Sequence, residues 1–122
     1  MDEAIGSRLV EAIAAQDESA IAACFAPDAE LRALVPRGLR ERSGAQVPEL
    51  VASWFADATE LDLLASSVDR VEDRLHVAYR FHAVEEGLSY LVEQQLFCTL
   101  ADGKIAHADL LCSGFRPRGD GE

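Results

Sequence analysis

Apolar and polar residues alternate with a period of two from Leu75 to Phe115, and the alternation breaks at Glu86-Gly87 and Asp102-Gly103. A strand sends successive side chains to opposite faces, and such acidic–glycine pairs tolerate the left-handed backbone of a tight hairpin. The segment therefore reads as three consecutive strands, 74–85, 88–100 and 104–115. Residues 60–71 read as a strand before them, with a turn at Glu72-Asp73 and a bulge or bend at Ser66-Ser67.

The first half has a different period. Residues 3–16 are Ala-rich, with Ile5, Leu9, Ala12 and Ile13 on one face of a predicted amphipathic helix. Asp17 is the expected N-cap of a second, short helix carrying Ile21, Cys24 and Phe25, ended by Pro27-Asp28. Residues 29–35 alternate as a strand, and Pro36 and Gly38 then open a loop that runs to about Arg42. Ser43-Gly44-Ala45-Gln46 has the form of a capping box before Val47, Leu50, Val51, Trp54 and Phe55 at helical spacing. Pro48 fits only the first turn, so this helix should start between Gly44 and Val47. Helix, helix, strand, helix and a four-stranded meander make an α+β domain with helices on one face of a bent sheet. A single domain over 1–117 is expected, with 118–122 a disordered tail.

The turns decide which side chains share a face. A two-residue turn at Glu86-Gly87 sets Tyr79 opposite Gln94 and Phe81 opposite Val92. A three-residue Ala101-Asp102-Gly103 loop pairs Leu100 with Lys104, setting Gln94 opposite Leu110 and Val92 opposite Cys112. One face then carries Val77, Tyr79, Phe81, Ala83, Val92, Gln94, Leu96, Cys98, Ala108, Leu110 and Cys112. The other carries His76, Arg80, His82, Glu93, Gln95, Phe97, His107, Asp109 and Ser113, with His76 and His107 in one row separated by Phe97. Slipping the last strand by one residue would turn His107 and Asp109 into the apolar face, so the hydrophobic pattern selects the first register. Strand 60–71 has no comparable pattern, which leaves open whether Asp62 or Asp69 enters the interior.

Charge excludes partners rather than naming one. A formal charge of −11 argues against nucleic acid, which needs a basic footprint, and against an anionic membrane surface. No apolar run approaches the roughly 20 residues of a membrane span, and the N-terminus lacks the pattern of a signal peptide, so a cytoplasmic location is expected. Cys24, Cys98 and Cys112 show no C-x-x-C spacing and sit among apolar neighbours, as small buried hydrophobes do. No metal-ligand spacing is present and no cofactor is implied. Arg32, Arg37, Arg40 and Arg42 cluster in one stretch, either as a solvated loop or as a guard for an acidic ligand.

Leu9-Val10-Glu11-Ala12 through Asp17, Ala23-Cys24-Phe25-Ala26-Pro27-Asp28-Ala29-Glu30-Leu31, Ser43-Gly44 before Trp54-Phe55, and Asp102-Gly103-Lys104-Ile105 occur in a telling order. Together they resemble the NTF2-like superfamily, in particular its SnoaL-like branch, over residues 3–116. The closing stretch from Asp109 to Pro117 is similar to the endings of bacterial SnoaL-like proteins. The resemblance implies a cone of three N-terminal helices packed on a strongly curved, mostly antiparallel sheet. It also implies a homodimer through the outer sheet face, here His76, Arg80, Glu93, Gln95, His107 and Asp109. It does not imply one activity, because the fold hosts isomerases, cyclases, hydrolases, dehydratases and binders.

For a ketosteroid-isomerase-like reaction the resemblance places the catalytic aspartate at Ala33, the first-helix tyrosine at Leu9 and the second acid at Leu96, so that chemistry is missing. The expectation is a small hydrophobic ligand in an apolar pocket lined by Trp54, Tyr79, Phe81, Gln94, Leu110 and Cys112, with Tyr79 and Gln94 either orienting it or bonding each other. Two alternatives remain: an isomerase or cyclase using Asp109 and His107, and a dimerisation or partner-binding module without a ligand.

Overall fold

Helices cover one face of a single mixed sheet and leave the other bare. The computed structural model describes residues 3–118. Two helices, α1 (Glu3–Ala14) and α2 (Glu18–Ala23), precede strands β1 (Phe25–Val35) and β2 (Gly38–Ser43); α3 (Gln46–Ser53) follows. Then come β3 (Glu60–Val71), β4 (Arg74–Glu85), β5 (Leu88–Ala101), β6 (Lys104–Cys112) and the short β7 (Arg116–Pro117). The α+β class holds, but the third helix lies after the β1–β2 hairpin rather than beside the first two in sequence.

The strand order is β2-β1-β6-β5-β4-β3, with β7 pairing the start of β5. β1 runs parallel to β6 and the other pairs are antiparallel. α1 lies close on β3 and β4, because Gly6 has no Cβ: one placed there would stand 2.8 Å from a Val68 methyl. Asp17 caps α2 by accepting from the Ala20 amide, as its sequence position requires. Among the described residues no helix is long and apolar enough to cross a membrane.

Several sequence expectations need correction. Residues 38–43 are not a loop but β2, an edge strand paired with β1 from Glu30↔Ser43 to Val35↔Gly38. Ser43 is held in that ladder, so the capping box does not form, and α3 starts after Ala45 with no side-chain cap. Pro27-Asp28 does not lead into a gap before the strand; β1 already begins at Phe25, and Pro27 falls where its pairing to β6 is interrupted. The irregularity in β3 is at Leu64, between Leu63↔Phe81 and Ala65↔Arg80, not at Ser66-Ser67. The expected tail at 118–122 lies outside the described residues from 119 onward, while the Arg118 amide donates to Ser89 O at 2.9 Å.

The β5–β6 hairpin differs most instructively. Its turn has two residues, Asp102 and Gly103, both at positive φ, so Ala101 pairs with Lys104 instead of Leu100. One extra residue, Ala106, then bulges from β6 between Leu100↔Ile105 and Thr99↔His107. Gln94 consequently faces Cys112 rather than Leu110, Leu96 faces Leu110, and Cys112 does not pair with Val92. The net displacement is two residues, an even number, so the side chains from His107 to Cys112 stay on their expected faces, while Ile105, ahead of the bulge, turns into the core.

Candidate functional site

The inner face of β4, β5 and β6 is the floor of the core. Val77, Phe81, Ala83, Val92, Leu96, Cys98 and Ala108 are wholly buried there, under Leu9, Ile13, Val47, Val51 and Phe55 from the helical side. Leu9, Ala33 and Leu96, where the family comparison seeks an acid or a tyrosine, are all fully buried. That placement suits an inward-facing role, but the side chains present are hydrocarbon.

Gln94 is the one buried polar or charged residue among those described. Tyr79 lies directly across the β4–β5 ladder from it and donates its Oη–H to Gln94 Oε1 at 2.5 Å. The Gln94 amide nitrogen donates to Cys112 Sγ at 3.3 Å, and the Gly114 amide donates to the same sulfur at 3.4 Å. Tyr79 and Gln94 thus satisfy each other, with sulfur completing the set. Burial pushes the Tyr79 phenol well above its ordinary value, with Cys112 and Cys98 nearby adding to the rise. The phenol therefore remains a donor.

An aromatic row runs from this pair toward the end of the sheet. Tyr79 meets Phe81 edge-on at 5.5 Å, and Phe81 meets Phe55 at 5.4 Å. Phe55 contacts Phe115 at 5.9 Å, which in turn contacts Tyr90 at 5.9 Å. Trp54 at the C-cap of α3, Cys112 and Phe115 are half-buried and pack against the core, whereas Leu110 is buried. Of the six sequence candidates, Tyr79, Phe81, Gln94 and Leu110 are therefore interior, and Trp54 and Cys112 lie where the interior meets solvent. Phe55 belongs with Tyr79 and Phe81 in the interior aromatic row, and Phe115 extends it. Phe115 sits just beyond a glycine at positive φ, so strand periodicity could not have placed it.

His107 and Asp109 pair at 3.4 Å on the outer face, where Asp109 also meets Arg32 at 4.0 Å. Asp62 and Asp69 are resolved as well: they stand opposite His82 and His76 on that outer face, with Asp62 bonded to His82 at 3.2 Å. His76 stacks on Phe97 at 4.8 Å, but Phe97 pairs with Asp109, so His107 is one row away from the expected alignment. Arg80 and Glu93 form the expected cross-strand pair at 3.4 Å. Among the described residues no three His, Cys, Asp or Glu side chains gather as a metal site.

The buried interior holds one hydrogen-bonded polar pair, Tyr79 and Gln94, amid hydrocarbon and thiols. General acid–base work needs a group titrating near the working pH. Burial, with a smaller push from Asp109, raises the Cys98 thiol to about 12, and burial also raises Cys24 against the opposing effect of Arg8 and Lys104. Because the folded-state value of Cys98 is raised, its contribution to stability is whole below pH 9.0 and fades between 9.0 and about 12 as the unfolded chain ionises. Urea unfolding against pH should show this decline, smaller in Cys98→Ala once each curve is referred to its neutral-pH value. A parallel decline of equal size would contradict the assignment.

The SnoaL-like domain profile matches residues 7–108, most of the chain, from within α1 to the middle of β6. The chain belongs to the SnoaL-like domain family. No curated protein matches this SnoaL-like chain in sequence. Solved structures similar to it include a candidate hydroxylase from Streptomyces galilaeus, at 20% identity and TM-score 0.74, covering 95% of this chain and 80% of that one. A candidate polyketide cyclase from a Silicibacter species matches at 18% identity and TM-score 0.73, covering 92% and 88%. Another candidate polyketide cyclase, from Pseudomonas putida, matches at 16% identity and TM-score 0.72, covering 90% of each chain. At such identities the likeness is one of fold.

Proposed function

We propose that this SnoaL-like protein binds a small hydrophobic molecule at the inner end of the sheet, with Tyr79 and Gln94 as its polar anchor. The observation that carries the reading is Gln94, the sole buried polar side chain among the described residues, bonded to Tyr79 at the start of an aromatic row that leads out to half-buried Phe115 and Tyr90. The Gln94 amide nitrogen now bonds a thiol sulfur, a weak acceptor. A ligand carbonyl oxygen is a stronger one, so exchange at this position favours a ketone- or ester-bearing molecule. The cyclase and hydroxylase neighbours direct attention to oxygenated ring compounds.

A thermal-shift panel of apolar ketones and alcohols tests this. At a concentration about 100 times Kd the complex gains about 2.7 kcal/mol, a rise of several degrees in Tm. The rise should disappear in Gln94→Leu. Absence of stabilisation by every apolar compound would overturn the binding reading.

A second reading, compatible with the first, is a homodimer through the outer face. Leu34, Leu39, Phe97 and Leu111 are each about half exposed there, at 51%, 49%, 41% and 49%, beside the expected polar set. Leu39, Leu34 and Leu111 form one lateral row across β2, β1 and β6. Sedimentation should show a dimer that becomes monomeric in Leu111→Arg; identical sedimentation of both proteins would remove this reading. A cytoplasmic location belongs to the same proposal and is supported by three unpaired cysteines.

A further inference from the structure

We propose that Arg40 and Arg42 on β2 hold the anionic head of the bound molecule, so that the ligand is an amphipathic carboxylate; the inference rests on the ligand-binding reading above. The chain has 22 acidic against 11 basic residues, so carboxylate partners are plentiful for its arginines. Arg32, Arg74, Arg80 and Arg116 pair with Asp109, Asp73, Glu93 and Glu93 respectively. Arg40 and Arg42 meet no carboxylate within ion-pair distance among the described residues, although both are half-buried. Each bonds only the carbonyl of the residue before it: Arg40 to Leu39 at 3.3 Å and Arg42 to Glu41 at 2.8 Å. A guanidinium has five N–H donors in a planar fork, so most of each fork faces no protein acceptor.

Their placement sets them on the same face of the sheet as the anchor, across β1 and β6 from it. Arg40 pairs with Ala33 and Arg42 with Leu31, both core residues, which puts the two arginines on the inner face of the sheet. An Arg40 Nη atom lies 3.9 Å from where a Gly38 Cβ would stand, so the fork turns toward the β1–β2 turn. The Pro36 ring of that turn packs closely on Gly114. Gly114 donates to the Cys112 sulfur that also receives the Gln94 amide. Arg37 adds exposed positive charge at the same turn. Arg42 borders a cavity of about 190 Å³ with Gln46, Glu49, Leu50 and Ser53, where Glu49 offsets part of its charge. Arg40 therefore carries most of the attraction. The guanidinium fork matches carboxylate and phosphate alike, but a protein of charge −11 repels a multiply charged head more strongly, which favours the monoanion.

Calorimetric titration with matched pairs, octanoate against octanamide and naphthoate against naphthamide, tests the head group. The acid should bind at least about ten-fold tighter than its amide, as one charge-assisted bond warrants. The preference should shrink as NaCl rises from about 20 to about 500 mM. In Arg40→Gln it should fall to about two-fold or less while amide affinity is unchanged, and Arg42→Gln should give a smaller loss of the same kind. Equal affinity for acid and amide in the unaltered protein, or a preference untouched by Arg40→Gln, overturns the assignment and leaves the apolar site standing. Tighter binding of octyl phosphate than of octanoate would also overturn it. Binding of none of these compounds would count against the apolar site as well.

Discussion

Replacing Phe81 with alanine is expected to remove about 3–5 kcal/mol of stability, the usual cost of deleting a buried aromatic ring. Phe81 is fully buried at the junction of three elements, paired with Val92 on β5 and Leu63 on β3 and in edge contact with Phe55 below α3. Its ring also meets Tyr79, so the alanine variant leaves a cavity beside the polar anchor. Against a typical total of about 5–15 kcal/mol, such a loss brings the protein near its unfolding threshold. Urea denaturation should show a lower midpoint with an unchanged slope. A loss under about 1 kcal/mol would mean that the inner face is not packed as described.

Tyr79→Phe should cost about 1–3 kcal/mol despite removing a single oxygen, because it strands Gln94 Oε1 in the interior. The double variant Tyr79→Phe/Gln94→Met removes both partners, leaves Cys112 its bond from Gly114, and should be more stable than the single tyrosine variant. Strong coupling in that double-mutant cycle is the signature of a closed pair. Additive losses would show that Gln94 finds a different partner when the phenol is absent.

The meander was legible because its turns and its alternation agree. Glu86-Gly87 takes positive φ at both residues, and the β4–β5 register follows from that turn alone. The β5–β6 register differs from the expected one by two residues, yet the faces from His107 onward agree, since a two-residue turn and the Ala106 bulge together shift pairing by an even number. β2 carries no apolar alternation, for a physical reason. Arg40 and Arg42 occupy its inward positions at the rim, where the apolar residue that would betray a strand is replaced by charge. β3 is an edge strand largely exposed on both faces, so neither set of its side chains needed to be apolar and no pattern could place Asp62 or Asp69. The site was legible to the same extent: Tyr79 and Gln94 follow from the β4–β5 turn, whereas Phe115 and the bond to Cys112 depend on a bulge and on a glycine beyond the last long strand.

The inner end of the sheet as a ligand site is tested most directly by a ¹H–¹⁵N titration of the intact protein with a neutral aromatic ketone such as acetophenone. Saturable shifts are predicted at the Gln94 side-chain amide, the Trp54 indole N–H and the Cys112–Phe115 backbone, with the outer-face amides of Leu34 and Phe97 unmoved. Shifts confined to the outer face, or a Gln94 amide that stays fixed throughout the titration, would contradict it.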